Sequence, residues 1–178
     1  MNTTLIWAAA AALTLAACGR SEPAADAGVA EPSSRTLAAS LDDNDDLDSL
    51  EAVVEAAGLQ TVLEGVGPYT IFAPTDAAFT AVGGAPGEDE KAQGATLVRA
   101  HIVPGVVTRA DISAALDRAA DGKVTLRTMD DGVLTFTREG QTIRATAADG
   151  AAAALTGTET AASNGVIQPI DGVLVKGG

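Results

Sequence analysis

The chain has 178 residues, of which 24 are Asp or Glu and 11 are Lys or Arg, for a formal net charge of -13. A surface this acidic repels nucleic-acid phosphates and anionic head groups, so no nucleic-acid partner is expected and membrane attachment would need its own anchor. The single cysteine and single histidine exclude an intrachain disulfide and a Cys- or His-based metal cluster, and leave one imidazole at most for acid–base work.

The chain opens on an apolar, alanine-rich run, Leu5 to Ala17, too short for a membrane span of about 20 residues. Met1 to Thr4 carry no Lys or Arg, so the export reading rests on the small residues that follow. Leu15-Ala16-Ala17-Cys18 resembles the lipobox of a bacterial lipoprotein. That resemblance implies a signal peptide over residues 1–17, cleavage before Cys18 and acylation of Cys18. Gly19 in place of Asp favours the outer membrane in a Gram-negative envelope. Several acyl chains give a stable anchor where one gives marginal binding. Ser21 to Arg35 mixes Pro, Ala, Gly, Ser and charge without an apolar period, as a flexible spacer does. Residues 18–36 are therefore the lipidated cysteine and linker, and residues 37–176 form one domain by length.

"LDDNDDLDSLEAVVEAAGL" predicts a helix, with Leu47, Leu50, Val53, Val54 and Ala57 at helical spacing and Gly58 as its stop. Its acids suit the positive end of a helix dipole. Leu59 to Glu64 adds a short turn. Tyr69 to Ala73 reads as a buried strand, and Pro74-Thr75-Asp76 as the corner into a helix over Ala77 to Val82. Thr75 is its expected N-cap, Asp76 lies in its first turn, and Phe79 is placed to pack back toward Pro74. A loop over Gly83 to Gly94 precedes a helix over Ala95 to His101, and Thr108 to Ala120 predicts another. "KVTLRTM", "GVLTFTRE" and "QTIRATA" alternate or are β-branched and are separated by glycine turns, so they read as hairpin strands. The alanine-rich stretch through Thr160 is ambiguous. "SNGVIQPIDGVLVK" predicts a turn at Asn164-Gly165 and a pair of apolar strands about Asp171-Gly172. Helices first and strands later is an α+β order.

Three stretches carry a family resemblance. They are Thr70 to Phe79 ("TIFAPTDAAF"), Ala100 to Gly105 ("AHIVPG") and Asn164 to Leu174 ("NGVIQPIDGVL"). In this order and spacing they resemble the motifs of the fasciclin (FAS1) domain over roughly Leu37 to Lys176. The resemblance implies an α+β fold, a strand wedge or small barrel-like core with helices on one side. It also implies an adhesion or matrix-interaction module without enzymatic activity, although some members carry apolar ligands such as carotenoids. The motif residues carried over are Thr75, Asp76, Phe79, His101, Asn164, Gly165 and Asp171. The family's tyrosine before the histidine is Ala100 here, and its second-motif histidine is Gln168. The Asp-Ile pair tied to receptor binding in animal members falls on Glu159-Thr160, which keeps an acid but not the isoleucine, so that receptor contact is not carried over.

His101 is the one candidate base, and no Gly-x-Ser-x-Gly elbow surrounds Ser40, Ser113 or Ser163. A structural His101, bonded to the Thr75-Asp76 corner, is the expectation. Counting from Asn44, the acids Asp46, Asp48 and Glu55 imitate a calcium loop, but Ser49 stands where glycine is required and helix follows. No metal or cofactor is expected. Trp7 leaves with the signal, and Tyr69, Phe72 and Phe79 belong to the strand and corner, which disfavours sugar or base stacking. Two functions are expected to compete: an anchored module for an envelope or extracellular protein or matrix partner, and a carrier of a small apolar, lipid- or carotenoid-like ligand.

Overall fold

The computed structural model describes residues 33–176. The signal, Cys18 and most of the linker lie outside the described residues. Among those described, no helix is long and apolar enough to cross a membrane.

The helical half begins with α1 (Leu37–Asp42), capped by Thr36, whose hydroxyl accepts from Ala39 N–H. The predicted long helix is two helices. Asn44 Oδ1 accepts from Asp46 N–H, and this side-chain turn breaks the chain before α2 (Asp48–Ala56). Gly58, at φ +68°, stops α2 in the left-handed region. The short α3 (Gln60–Glu64) follows and leads into β1 (Tyr69–Pro74). Thr75 then caps α4 (Asp76–Ala81) by accepting from Ala78 N–H at 3.3 Å. α5 (Lys91–Ala100) starts earlier than its apolar period suggests, and β2 (Ile102–Pro104) follows His101. α6 (Arg109–Arg118) opens on a capping box in which Thr108 and Asp111 satisfy each other's backbone N–H.

The second half is a meander of β3 (Lys123–Arg127), β4 (Val133–Glu139), β5 (Thr142–Ala147) and β6 (Ala152–Ala154), antiparallel neighbour to neighbour. β7 (Thr160–Ala162) and β8 (Gly165–Ile170) then return to the first half. They complete a sheet of order β2-β1-β8-β7, in which β1 and β8 are parallel and the other pairs antiparallel. The strand pair expected about Asp171 is not formed. β8 ends at Ile170, and Val173 to Lys176 pass as an unpaired segment that buries Val173 and Leu174 and leaves Lys176 exposed.

Alternation along β1 explains why its sequence, Thr70 apart, is apolar. Ile71 and Ala73 join the core beneath α1 to α5, while Phe72 faces the other way, into a core shared with the meander and α6. The sheet is thus covered on both faces, and Phe72 meets Phe136 of β4 with ring centroids 5.1 Å apart.

Candidate functional site

The motif residues occupy both ends of one parallel strand pair and the middle between them. At the starting end, Tyr69 of β1 lies opposite Gly165 of β8. A side chain on Gly165 would put its Cβ 2.0 Å from Tyr69 O and 2.8 Å from a Leu37 methyl, so the backbones approach only because the residue is glycine. Asn164 beside it is buried and spends its whole amide on backbone. Its Oδ1 accepts from Leu37 N–H at 2.8 Å, and its Nδ2 donates to Leu63 O at 2.8 Å and Gly65 O at 2.7 Å. One side chain thereby holds the start of α1, the end of α3 and the entry to β1.

At the far end stands the Thr75 corner. Besides capping α4, the corner reaches another helix: Asp76 Oδ1 accepts from Ser49 N–H at 2.8 Å, and Asp76 N–H donates to Asp46 O. α2 has no side-chain cap of its own, so Asp76 supplies an anionic acceptor at its N-terminus from 27 residues away. Asp171, next to Ile170 at this end, accepts from Ala154 N–H through Oδ1 and returns its own N–H to Ala154 O. Phe79 is buried among the helices. A six-residue strand separates the two ends by roughly 17 Å, so these residues do not converge on one cleft.

His101 lies between them, completely buried. Its partners correct the sequence expectation, because it does not touch the Thr75-Asp76 corner. Nδ1 is 2.7 Å from Leu97 O, and Nε2 is 2.9 Å from Leu174 N. A carbonyl accepts only and an amide N–H donates only. The two bonds therefore fix the neutral tautomer with the proton on Nδ1, where it donates to Leu97, while Nε2 accepts from Leu174. Burial pushes the imidazole pKa down to about 4, against smaller opposing effects from the Leu97 carbonyl and Asp130. This bond also explains the missing terminal strand, since Leu174 donates to an imidazole instead of a neighbouring backbone. Lys176 N–H closes the segment onto Asp149, whose carboxyl is held below its ordinary range chiefly by that bond and by Ala151 N–H.

Sequence reasoning missed a second polar knot. Glu159 accepts Arg109 N–H at 2.8 Å and also the side-chain amide of the fully buried Gln168. The Arg109 guanidinium donates to Gly157 O and Thr156 O at 2.9 and 2.8 Å. The acid at the receptor-contact position is therefore bound into the fold. Gln168 marked the place as a departure from the family's histidine, but its partners are 9 and 59 residues distant and left no local pattern. Thr70 was equally silent: its hydroxyl donates to Gly105 O and accepts from Val107 N–H, both at 2.8 Å.

Among the described residues no group of three or more His, Cys, Asp or Glu is arranged to hold a metal, and Asp48 lies inside α2. Two of the grooves on the described surface matter here. One, of about 550 Å³, runs past Arg109, Arg138 and Glu159. The other, of about 640 Å³, lies between the α4–α5 loop and the terminal segment, over Phe79, Leu97, Val173 and Val175.

A model of the fasciclin domain matches residues 45–176. The chain belongs to the fasciclin domain family. It is 28% identical over 137 residues to Protein sll1483 of Synechocystis sp., a match covering 74% of this chain and 68% of that protein. Its fold is that of the FAS1 domain pair from the insect cell adhesion molecule Fasciclin I, with a TM-score of 0.66 at 14% identity. That match covers 80% of this chain and 51% of the pair, so the chain spans about half the length of that structure. The fasciclin motifs thus map onto backbone-holding positions: Asn164 and Gly165 at one end of the strand pair, Thr75, Asp76 and Asp171 at the other, and His101 between.

Proposed function

We propose that the protein is a lipid-anchored fasciclin module of a bacterial cell envelope. It presents its acidic domain on a spacer to an envelope or matrix partner and carries out no turnover. The anchor rests on the sequence Leu15-Ala16-Ala17-Cys18 followed by a stretch rich in Pro, Ala, Gly and Ser. The non-catalytic reading is carried by one observation: the sole imidazole of the chain is sealed from solvent and both its nitrogens are engaged by backbone. A general base must reach the proton it removes, and His101 reaches none. Membership in a family that includes an insect cell adhesion molecule supports the interaction role.

A carrier of a small apolar ligand is the second reading, favoured by the groove over Phe79, Leu97, Val173 and Val175, whose volume of about 640 Å³ lies within the usual range for small-molecule sites. Intact mass spectrometry of gently extracted native protein separates the alternatives. A chain starting at an acylated Cys18, without further bound mass, is the expected result. A co-purifying apolar compound would favour the carrier, and Cys18→Ser protein that stays in the membrane fraction would contradict the anchor.

A further inference from the structure

One end of the domain is unlike the rest of its surface. Tyr69, Pro104, Gly165 and Ala162 form the last row of the β2-β1-β8-β7 sheet, and two loops project beyond it. The first ends in Val66, 96% exposed, and the second in Val106, 53% exposed, with Pro68 and Pro104 exposed beside them. No residue from Gly65 to Thr75 or from Ile102 to Thr108 is charged. Neither loop is loose. Asn164 Nδ2 holds Gly65 O, Gly105 N–H donates to Pro68 O at 2.9 Å, and the Thr70 hydroxyl brackets Gly105 and Val107. Two valines are thus held out into water on rigid, neighbouring tips.

The incoming chain joins the body at this same end. Ser33 N–H donates to Ala161 O at 3.1 Å, Ser163 N–H to Arg35 O at 2.7 Å, and Leu37 N–H to Asn164. From Cys18 to Ser33 the link spans ~50 Å at full stretch and ~20 Å as a flexible coil. A chain of net charge -13 meets a head-group layer unfavourably, whereas the two tips themselves bring no charge to be stripped of water, the exposed Glu64 standing just before the first.

We propose that the Val66 and Val106 tips dock onto the lipid bilayer that carries the protein's own anchor, their side chains resting at the boundary between head groups and acyl chains. The proposal rests on the anchor reading. Side-chain insertion at that depth leaves the loop backbone in the hydrated interface, where its polar groups are satisfied. Tethering keeps the tips at high local concentration over the bilayer, so weak apolar contacts suffice.

The test uses the full chain with Trp7→Phe, so that an introduced tryptophan is the sole one. Val66→Trp and Val106→Trp report on the tips, and Val82→Trp, at a valine 60% exposed on α4's C-cap, controls for the affinity of tryptophan for lipid. Acylated protein is reconstituted directly into phosphatidylcholine vesicles with brominated acyl chains. If Cys18 proves free, its thiol is coupled to a maleimide lipid, so failure of the anchor reading stays separate from failure of docking. The expected result is blue-shifted, bromine-quenched emission for both tip reporters, unshifted emission for the control, and loss of the Val66→Trp quenching when Val106→Asp is added. Equal behaviour of tips and control would overturn the proposal. So would a blue shift that grows with protein concentration in the absence of vesicles, which would make the tips a contact between copies.

Discussion

The two sheets of this domain are specified in different ways. The meander of β3 to β6 is built from neighbours: each strand pairs with the next, and alternating residues such as Leu134, Phe136, Ile143 and Ala145 supply its buried face. The β2-β1-β8-β7 sheet is assembled from distant parts and held by individual buried side chains. Asn164 reaches back 127 residues to Leu37 and 101 to Leu63, and His101 reaches forward 73 to Leu174. A sheet made of neighbours tolerates any sequence that keeps the pattern. A sheet made of distant pieces needs particular side chains at particular positions, and the fasciclin motifs sit at those positions.

Substitutions in the two sheets should therefore differ sharply. The largest effect is expected at Gly165→Ala, where the new Cβ meets the backbone of Tyr69 rather than a movable side chain. Overpacking commonly costs about 1–3 kcal/mol, and an unyielding backbone contact places this change at or above the upper end. Equilibrium urea denaturation would measure it, and a near-parental midpoint would show that β1 and β8 can separate without penalty. Asn164→Ala follows, expected to cost about 3 kcal/mol or more because three backbone groups, two of them buried and one part-buried, lose their partner. Loss of less than about 1 kcal/mol would mean that water replaces the amide.

Acid should act on the first sheet through His101. Its folded pKa of about 4 lies below the ordinary 6.5, so between these values the unfolded chain binds a proton that the folded chain refuses. Stability from the neutral imidazole is complete above about pH 6.5 and is lost progressively toward pH 4, by roughly 3 kcal/mol. Protonation would also set an N–H on Nε2 against the N–H of Leu174. Melting temperature against pH should fall across this window in the parent and run flatter in His101→Gln, which starts lower at neutral pH. Asp149, held below the ordinary carboxylate range, contributes stability lost only as pH falls further, so the windows separate.

The smallest effect belongs to the meander's surface. Arg144 and Glu139 pair at 2.9 Å with side chains 39% and 58% exposed, and Arg144→Ala should cost under about 1 kcal/mol. A larger loss would show that the second sheet also depends on single contacts.

Legibility in the sequence follows the same division. The hairpin strands could be read from alternation and glycine turns. β1 and the Thr75 cap could be read because the acceptor and the N–H it serves lie three residues apart. Local sequence ties Asp76 to the helix it begins, and its bond to α2 is invisible there because the partner is 27 residues away. The break between α1 and α2 hid in an acidic run that suits a helix start equally well. β6 and β7 were lost because alanine marks neither face of a strand. The sequence marks His101 as structural but not its partners, since nothing near it in sequence points to Leu174.

Because the chain contains one histidine, nitrogen-15 NMR of histidine-labelled protein reads His101 without assignment. A protonated Nδ1, a bare Nε2 and no titration until about pH 4 would establish that this motif residue serves the backbone and is closed to substrate. A proton on Nε2, or a midpoint near the ordinary 6.5, would contradict the account, because it would return the only imidazole of the chain to solvent and to chemistry.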